Sequence, residues 1–116
     1  MIERGKILGA VRRSWSSGTS TKWTLANPAA GQCSVTALVV QDHFGGRLLK
    51  TRVSDAWHFY NELAGEACDF TSQQFICPVE YTHAAATREE VLADTSAEQY
   101  ERMTKAFVTN WRDAIK

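Results

Sequence analysis

No stretch of the sequence approaches the ~20 consecutive apolar residues that a membrane-spanning helix requires, so no membrane partner is expected. Charge of one sign is not in excess either. Thirteen Lys and Arg offset thirteen Asp and Glu, and a formal net charge of zero gives no electrostatic case for nucleic acid. A disulfide framework is missing as well: Cys33, Cys68 and Cys77 are odd in number and irregular in spacing, which points to a reducing compartment and leaves free thiols. The opening run MIERGKILGAVRRSW places Glu3 and arginines where a secretory leader carries an unbroken apolar segment, so the expected location is the cytoplasm. Internal repeats and low-complexity segments are absent too.

What is present suits one small globular domain. A chain of 116 residues can build one core but not two ordinary ones, so residues 1–116 are expected to form a single α+β domain. Its charge is unevenly placed, with Arg4, Lys6, Arg12, Arg13 and Lys22 early and Glu89, Glu90, Asp94, Glu98 and Glu101 late. That distribution suggests two solvated faces that attract each other.

Apolar residues at Ile7, Leu8, Val11 and Trp15 follow helical spacing, which predicts an amphipathic N-terminal helix. The Ser-, Thr- and Gly-rich segment over 16–31 reads as a long loop, either a connection or a wall of a site. From Gln32 to about His43 the chain is apolar on more than one face and ends at Gly45-Gly46, the pattern of a buried helix. LLKTRV and WHFYNEL alternate like strands, AGEA reads as a turn, and CDFTSQQF reads as another strand of the same antiparallel sheet. Thr87 with Glu90 and Thr95 with Glu98 fit capping boxes, predicting helices from about Arg88 and Ser96. In the second of these, Tyr100, Met103, Phe107, Trp111 and Ala114 form one stripe, expected to face the sheet.

Cys33 falls at the start of the buried helix, where unpaired N–H groups and the helix dipole favour a thiolate. A cysteine nucleophile needs a base, and the base an orienting acceptor; His58 and Asp69 are the candidates. If Ala64-Gly65 is a two-residue turn, Leu63 faces Glu66, and His58 and Asp69 lie diagonally on one face of the hairpin. A three-residue turn would put them on opposite faces. The carboxylate is then expected to accept the imidazole Nδ1–H. Gln32 is a candidate oxyanion donor with the Cys33 backbone N–H, or else a polar residue at a helix start. Trp23 and Trp57 are candidate substrate-binding walls, or else core packing. His43, His83, Cys68 and Cys77 have no matching partners and are assigned to structure or surface. Cys, His and Asp are all zinc ligands, yet without CxxC or HxxxH spacing no metal site is expected.

The runs NPAAGQCSVTALVVQDHFGG, HFYNEL, DFTSQQF and TREEVL resemble the YunG-like family of small bacterial proteins, over about Trp15 to Tyr100. More loosely, the order of a Cys at a helix start, a His on a strand and an Asp after it resembles the transglutaminase-like and arylamine-acetyltransferase-like branch of the papain-type fold. That resemblance implies a compact papain-like domain: a central buried helix on a small antiparallel sheet, with N- and C-terminal helices. It also implies Cys33 as nucleophile, His58 as base and Asp69 as orienter, in a cofactor-free hydrolase or acyltransferase acting on an amide or thioester of a small molecule or peptide. The alternative is a non-catalytic binding domain of the same shape, with Trp57 and Phe59 on its contact face. The substrate and the oligomeric state are left open.

Overall fold

A computed structural model describes residues 3–116. The elements run α1 (Arg4–Ser14), α2 (Cys33–Phe44), β1 (Arg47–Val53), β2 (Ala56–Leu63), β3 (Glu66–Cys68), β4 (Ala84–Ala85), α3 (Arg88–Ala93) and α4 (Ala97–Ala114), with a 3-10 turn at Ser72–Gln74. The four strands form one antiparallel sheet in the order β3-β2-β1-β4. This is a compact α+β domain, and none of its described helices is long and apolar enough to cross a membrane.

Helix α2 is central because its sequence leaves no polar face until Gln41: every residue from Ser34 to Val40 is buried. On one side its Val35 and Val39 meet Ile7 and Val11 of α1 and Met103 and Phe107 of α4. On the other, Ala37 and Leu38 pack on Leu48, Phe59 and Val91. Trp15, one residue past α1, is buried and donates its indole N–H to Thr36 Oγ1 (2.9 Å). The polar hydroxyls on this helix are therefore spent on neighbours rather than stranded.

The α4 stripe is buried against α1 and α2 rather than against the sheet, since α2 already occupies that face. The box at Thr87 and Glu90 caps α3, but α4 starts one residue later than its own pattern suggested. There Ser96 Oγ accepts the Gln99 N–H and Gln99 reaches back to the Ser96 N–H, so Gln serves where Glu98 had been expected. Among the described residues, the basic early segment and the acidic late one form no ion pair. Arg4 bridges to Glu66 and Lys50 to Glu90, while α1 and α4 meet through apolar side chains and one hydrogen bond, from Asn110 Nδ2 to Ser14 Oγ (3.0 Å).

The β2–β3 connection is a two-residue turn that sets Leu63 opposite Glu66 and Asn61 opposite Cys68. Ala64 (φ 51°) and Gly65 (φ 80°) both take left-handed conformations, as a type I′ turn requires. CDFTSQQF does not continue as a strand beyond its first residue. Asp69 Oδ1 accepts the Thr71 N–H (3.1 Å), a turn local to the side chain that withdraws the backbone from the ladder.

Candidate active site

His58 is held in the middle of β2, opposite Thr51, with its side chain 2% exposed. Its face of the sheet is roofed by residues 69–83, whose Phe75 ring stands edge-on to the imidazole at 4.9 Å. Asp69 leaves β3 at the point where the chain turns, and the same Thr71 bonds that end the strand fix its carboxylate. His58 Nε2–H donates to Asp69 Oδ2 at 2.6 Å. The two residues thus share a face, as the two-residue turn demands, but it is Nε2 and not Nδ1 that the carboxylate takes.

That choice leaves Nδ1 buried and without a hydrogen-bond partner among the described residues. Cys33 lines the same cleft as His58. Burial alone would lower the His58 pKa, but the bond and charge of Asp69, with a lesser pull from the nearby Cys33 thiol, outweigh it and raise the pKa from 6.5 to about 9. For Asp69 the opposition runs the other way. Burial pushes its carboxyl up, whereas the bonds from His58, Tyr81 and Thr71 hold it below the usual carboxylate value. Both results describe an imidazolium–carboxylate pair at neutral pH.

Cys33 is the first residue of α2, half-buried, at the wall of a cleft of about 350 Å³ that also takes in Lys22, Gly31, Trp57, His58 and Asp94. The helix start carries no side-chain cap, and no acceptor meets the Cys33 N–H among the described residues. An oxygen entering the cleft would find that donor free. Gly31 makes the approach feasible: its φ is +70°, and a Cβ there would lie 2.4 Å from Ser20 Oγ. Asp94 accepts the Ser34 hydroxyl, placing a carboxylate on the cleft rim that sequence spacing did not single out.

Gln32 is fully buried and lies outside the cleft lining. Its Oε1 accepts from Thr19 Oγ1 (2.8 Å), and its Nε2 has no partner among the described residues. The hydrogen-bond donor that the cleft exposes is the helix backbone, not this side chain. Trp23 packs against the main core and also lies outside the lining, whereas Trp57 stands at the rim, 41% exposed, with Lys50 Nζ 4.5 Å and Arg52 5.0 Å from its ring. Phe59, expected beside Trp57 on a contact face, does share that face of β2, but it is buried against Ala37 and Leu38 of α2, whereas Trp57 lies nearer the strand's start and is exposed.

Two residues of the site had no signal in the sequence. Tyr81 donates its hydroxyl to Asp69 Oδ2 at 2.6 Å. Gln74 accepts the Gly31 N–H on Oε1 (3.2 Å) and donates Nε2–H to the Thr71 carbonyl (3.1 Å), tying the loop before Cys33 to the turn that holds Asp69. His83, assigned no partner from sequence, does have one: its ring, at the end of that roof, meets the Tyr60 hydroxyl at 2.7 Å. His43 packs on Phe107, and Cys68 is buried on the α2 side, away from Asp69. The described residues bring together no group of three His, Cys, Asp or Glu side chains suited to a metal ion. A larger pocket of about 490 Å³ between α1 and the β3 end holds Arg4 and Arg12 but no paired nucleophile and base.

Comparison with known proteins gives a family and a relative. The family model described as YunG protein matches residues 3–112. A Bacillus subtilis (strain 168) protein named "Uncharacterized protein YunG" is 54% identical over 97 residues, 84% of each chain. No solved structure matches the chain significantly.

Proposed function

From the site of this chain, which belongs to the YunG family, we propose a cysteine-dependent hydrolase or acyltransferase acting on an amide or thioester, built on a papain-like, transglutaminase-like core. One observation carries the reading. His58 is clamped at Nε2 by Asp69 while Nδ1, buried and unpartnered, is left for Cys33. A histidine serving only as a buttress would be expected to have both nitrogens satisfied.

In this mechanism the Cys33 thiolate attacks the carbonyl carbon, and the oxygen, now carrying the electron pair, is received by the free N–H groups at the start of α2. His58 Nδ1–H gives its proton to the departing amine or thiolate as the carbon–heteroatom bond breaks, leaving an acyl-Cys33 thioester. Neutral His58 then takes a proton from water or an acceptor amine as that nucleophile attacks, and the thiolate is regenerated. Asp69 stays ionised throughout and stabilises the imidazolium on its Nε2 side. All the groups belong to the chain, and no cofactor enters the scheme.

Alkylation by iodoacetamide tests the activated pair. At neutral pH Cys33 is expected to be alkylated faster than the exposed Cys77, and His58→Gln to remove the difference; a wild-type Cys33 no faster than Cys77 would overturn the mechanism. Incubation with an activated thioester should add one acyl group at Cys33, detected by mass spectrometry and absent in Cys33→Ser.

A further inference from the structure

The Asp69 oxygen that holds His58 is shared. His58 Nε2 and the Tyr81 hydroxyl both approach Oδ2 at 2.6 Å, while Oδ1 is occupied by the N–H and hydroxyl of Thr71. We propose that Tyr81 is a positioning residue that moderates the Asp69–His58 pair: by donating to the same oxygen, it takes up part of the carboxylate's accepting power and eases release of the His58 proton. The proposal rests on the assignment of His58 as the acid and base of a cysteine enzyme.

The geometry supports tuning rather than tethering. The Tyr81 ring is positioned independently of its hydroxyl, edge-on to Tyr60 at 5.0 Å and stacked on His83 at 5.7 Å. The stretch of chain that carries it is fastened separately, by Thr51 Oγ1 donating to the Glu80 carbonyl (2.9 Å) and accepting the Thr82 N–H (3.0 Å). Removing the hydroxyl alone should therefore leave Asp69 in place and return its full accepting power to His58. A proton shuttle that must give up its proton in each cycle works best when its pKa is near the working pH, and an undiluted buried carboxylate would carry His58 further away from it.

The groups that face this pair are few. His58 meets Cys33 from α2, Asp69 from the end of β3, Tyr60 from its own strand (5.9 Å, stacked) and Phe75 from the roof. Asp69 meets His58, Thr71 and Tyr81, and shares the wall of the larger pocket with Arg4 and Arg12 of α1. His83 reaches the pair only through Tyr60. Tyr81 is the group among these that competes directly with His58 for one oxygen atom.

The test is Tyr81→Phe, read by NMR titration of the His58 ring. The midpoint should rise, by about half a pH unit or more, with the phenylalanine ring retaining the packing against Tyr60 and His83. A merely structural role predicts the opposite sign, since a loosened Asp69 would hold the imidazolium less well and the midpoint would fall. An unchanged or lowered midpoint overturns the proposal. If Tyr81→Phe does not fold, the wild type labelled at tyrosine Cζ decides: Tyr81 should titrate above the ordinary tyrosine value, and a midpoint near ~10 overturns the shared bond. Neither titration depends on Cys33 reacting, so a failure here is distinct from an inert Cys33 in the alkylation experiment.

Discussion

Replacing Asp69 by asparagine keeps an oxygen for the Thr71 N–H but puts an amide nitrogen where His58 now finds a carboxylate oxygen. His58 Nε2 must then accept rather than donate, which forces a neutral ring with its proton on Nδ1. In the wild type His58 is 2% exposed and its pKa is raised from 6.5 to about 9. At roughly 1.4 kcal/mol per pH unit that difference is about 3 kcal/mol, a large part of the ~5–15 kcal/mol that holds a small domain folded. Because the folded value lies above the unfolded one, this stabilisation is complete below about pH 6.5 and is lost as the pH rises through about 9. Urea unfolding at about pH 6, 8 and 10 reads it directly. Asp69→Asn should be less stable by about 3 kcal/mol at the lowest pH, narrowing to about 1 kcal/mol, the worth of one neutral hydrogen bond, at the highest. Cys33→Ser run in parallel isolates the thiol's share of the shift. A deficit in Asp69→Asn that stays constant across the range would refute the charged pair, whatever its size.

Two further substitutions probe how the site is assembled. Gly31→Ala combines a φ of +70° with a Cβ 2.4 Å from Ser20 Oγ, and should cost about 1–3 kcal/mol in thermal unfolding while slowing Cys33 alkylation at fixed pH; a variant as stable and as reactive as the wild type refutes the close approach. Gln74→Ala removes the side-chain hydrogen bond from the Gly31 N–H and the one to the Thr71 carbonyl, for about 1–2 kcal/mol, and amide exchange at Gly31 should accelerate; unchanged protection there would show that the link does not hold the loop.

The helices were legible where a periodic face and a local stop coincide. Residues 33–44 are apolar on more than one side and end at Gly45, so both the burial of α2 and its end could be read from composition. The capping boxes located α3, and missed the start of α4 by one residue because Ser96 with Gln99 competes with Thr95 and Glu98 on nearly equal terms. What α4 packs against could not be read, since a stripe shows that a helix is buried but not on what. The strand expected over CDFTSQQF failed for a different reason. Asp69 acts on its own backbone as well as through its chemistry: the bond from the Thr71 N–H both ends β3 and aims the carboxylate.

The part of the site that sequence could reach is the part fixed by strand parity. Once Ala64-Gly65 is a two-residue turn, Leu63 must oppose Glu66 and Cys68 must oppose Asn61, whose side chain bonds the Ala37 carbonyl of α2. Cys68 is thereby committed to the α2 side of the sheet, and the next residue, Asp69, to the side where His58 lies. Tyr81 and Gln74 obey no such rule. They arrive on a segment without periodicity, and nothing in their spacing from His58 or Cys33 distinguishes them from other polar loop residues. Yet they complete what parity begins. Parity chooses the face, the Thr71 turn aims the carboxylate, Tyr81 shares its oxygen, and Gln74 joins that turn to the loop that delivers Cys33. A thiol at a helix start and a histidine on a strand line one cleft, and these loop contacts join the segments on either side of it.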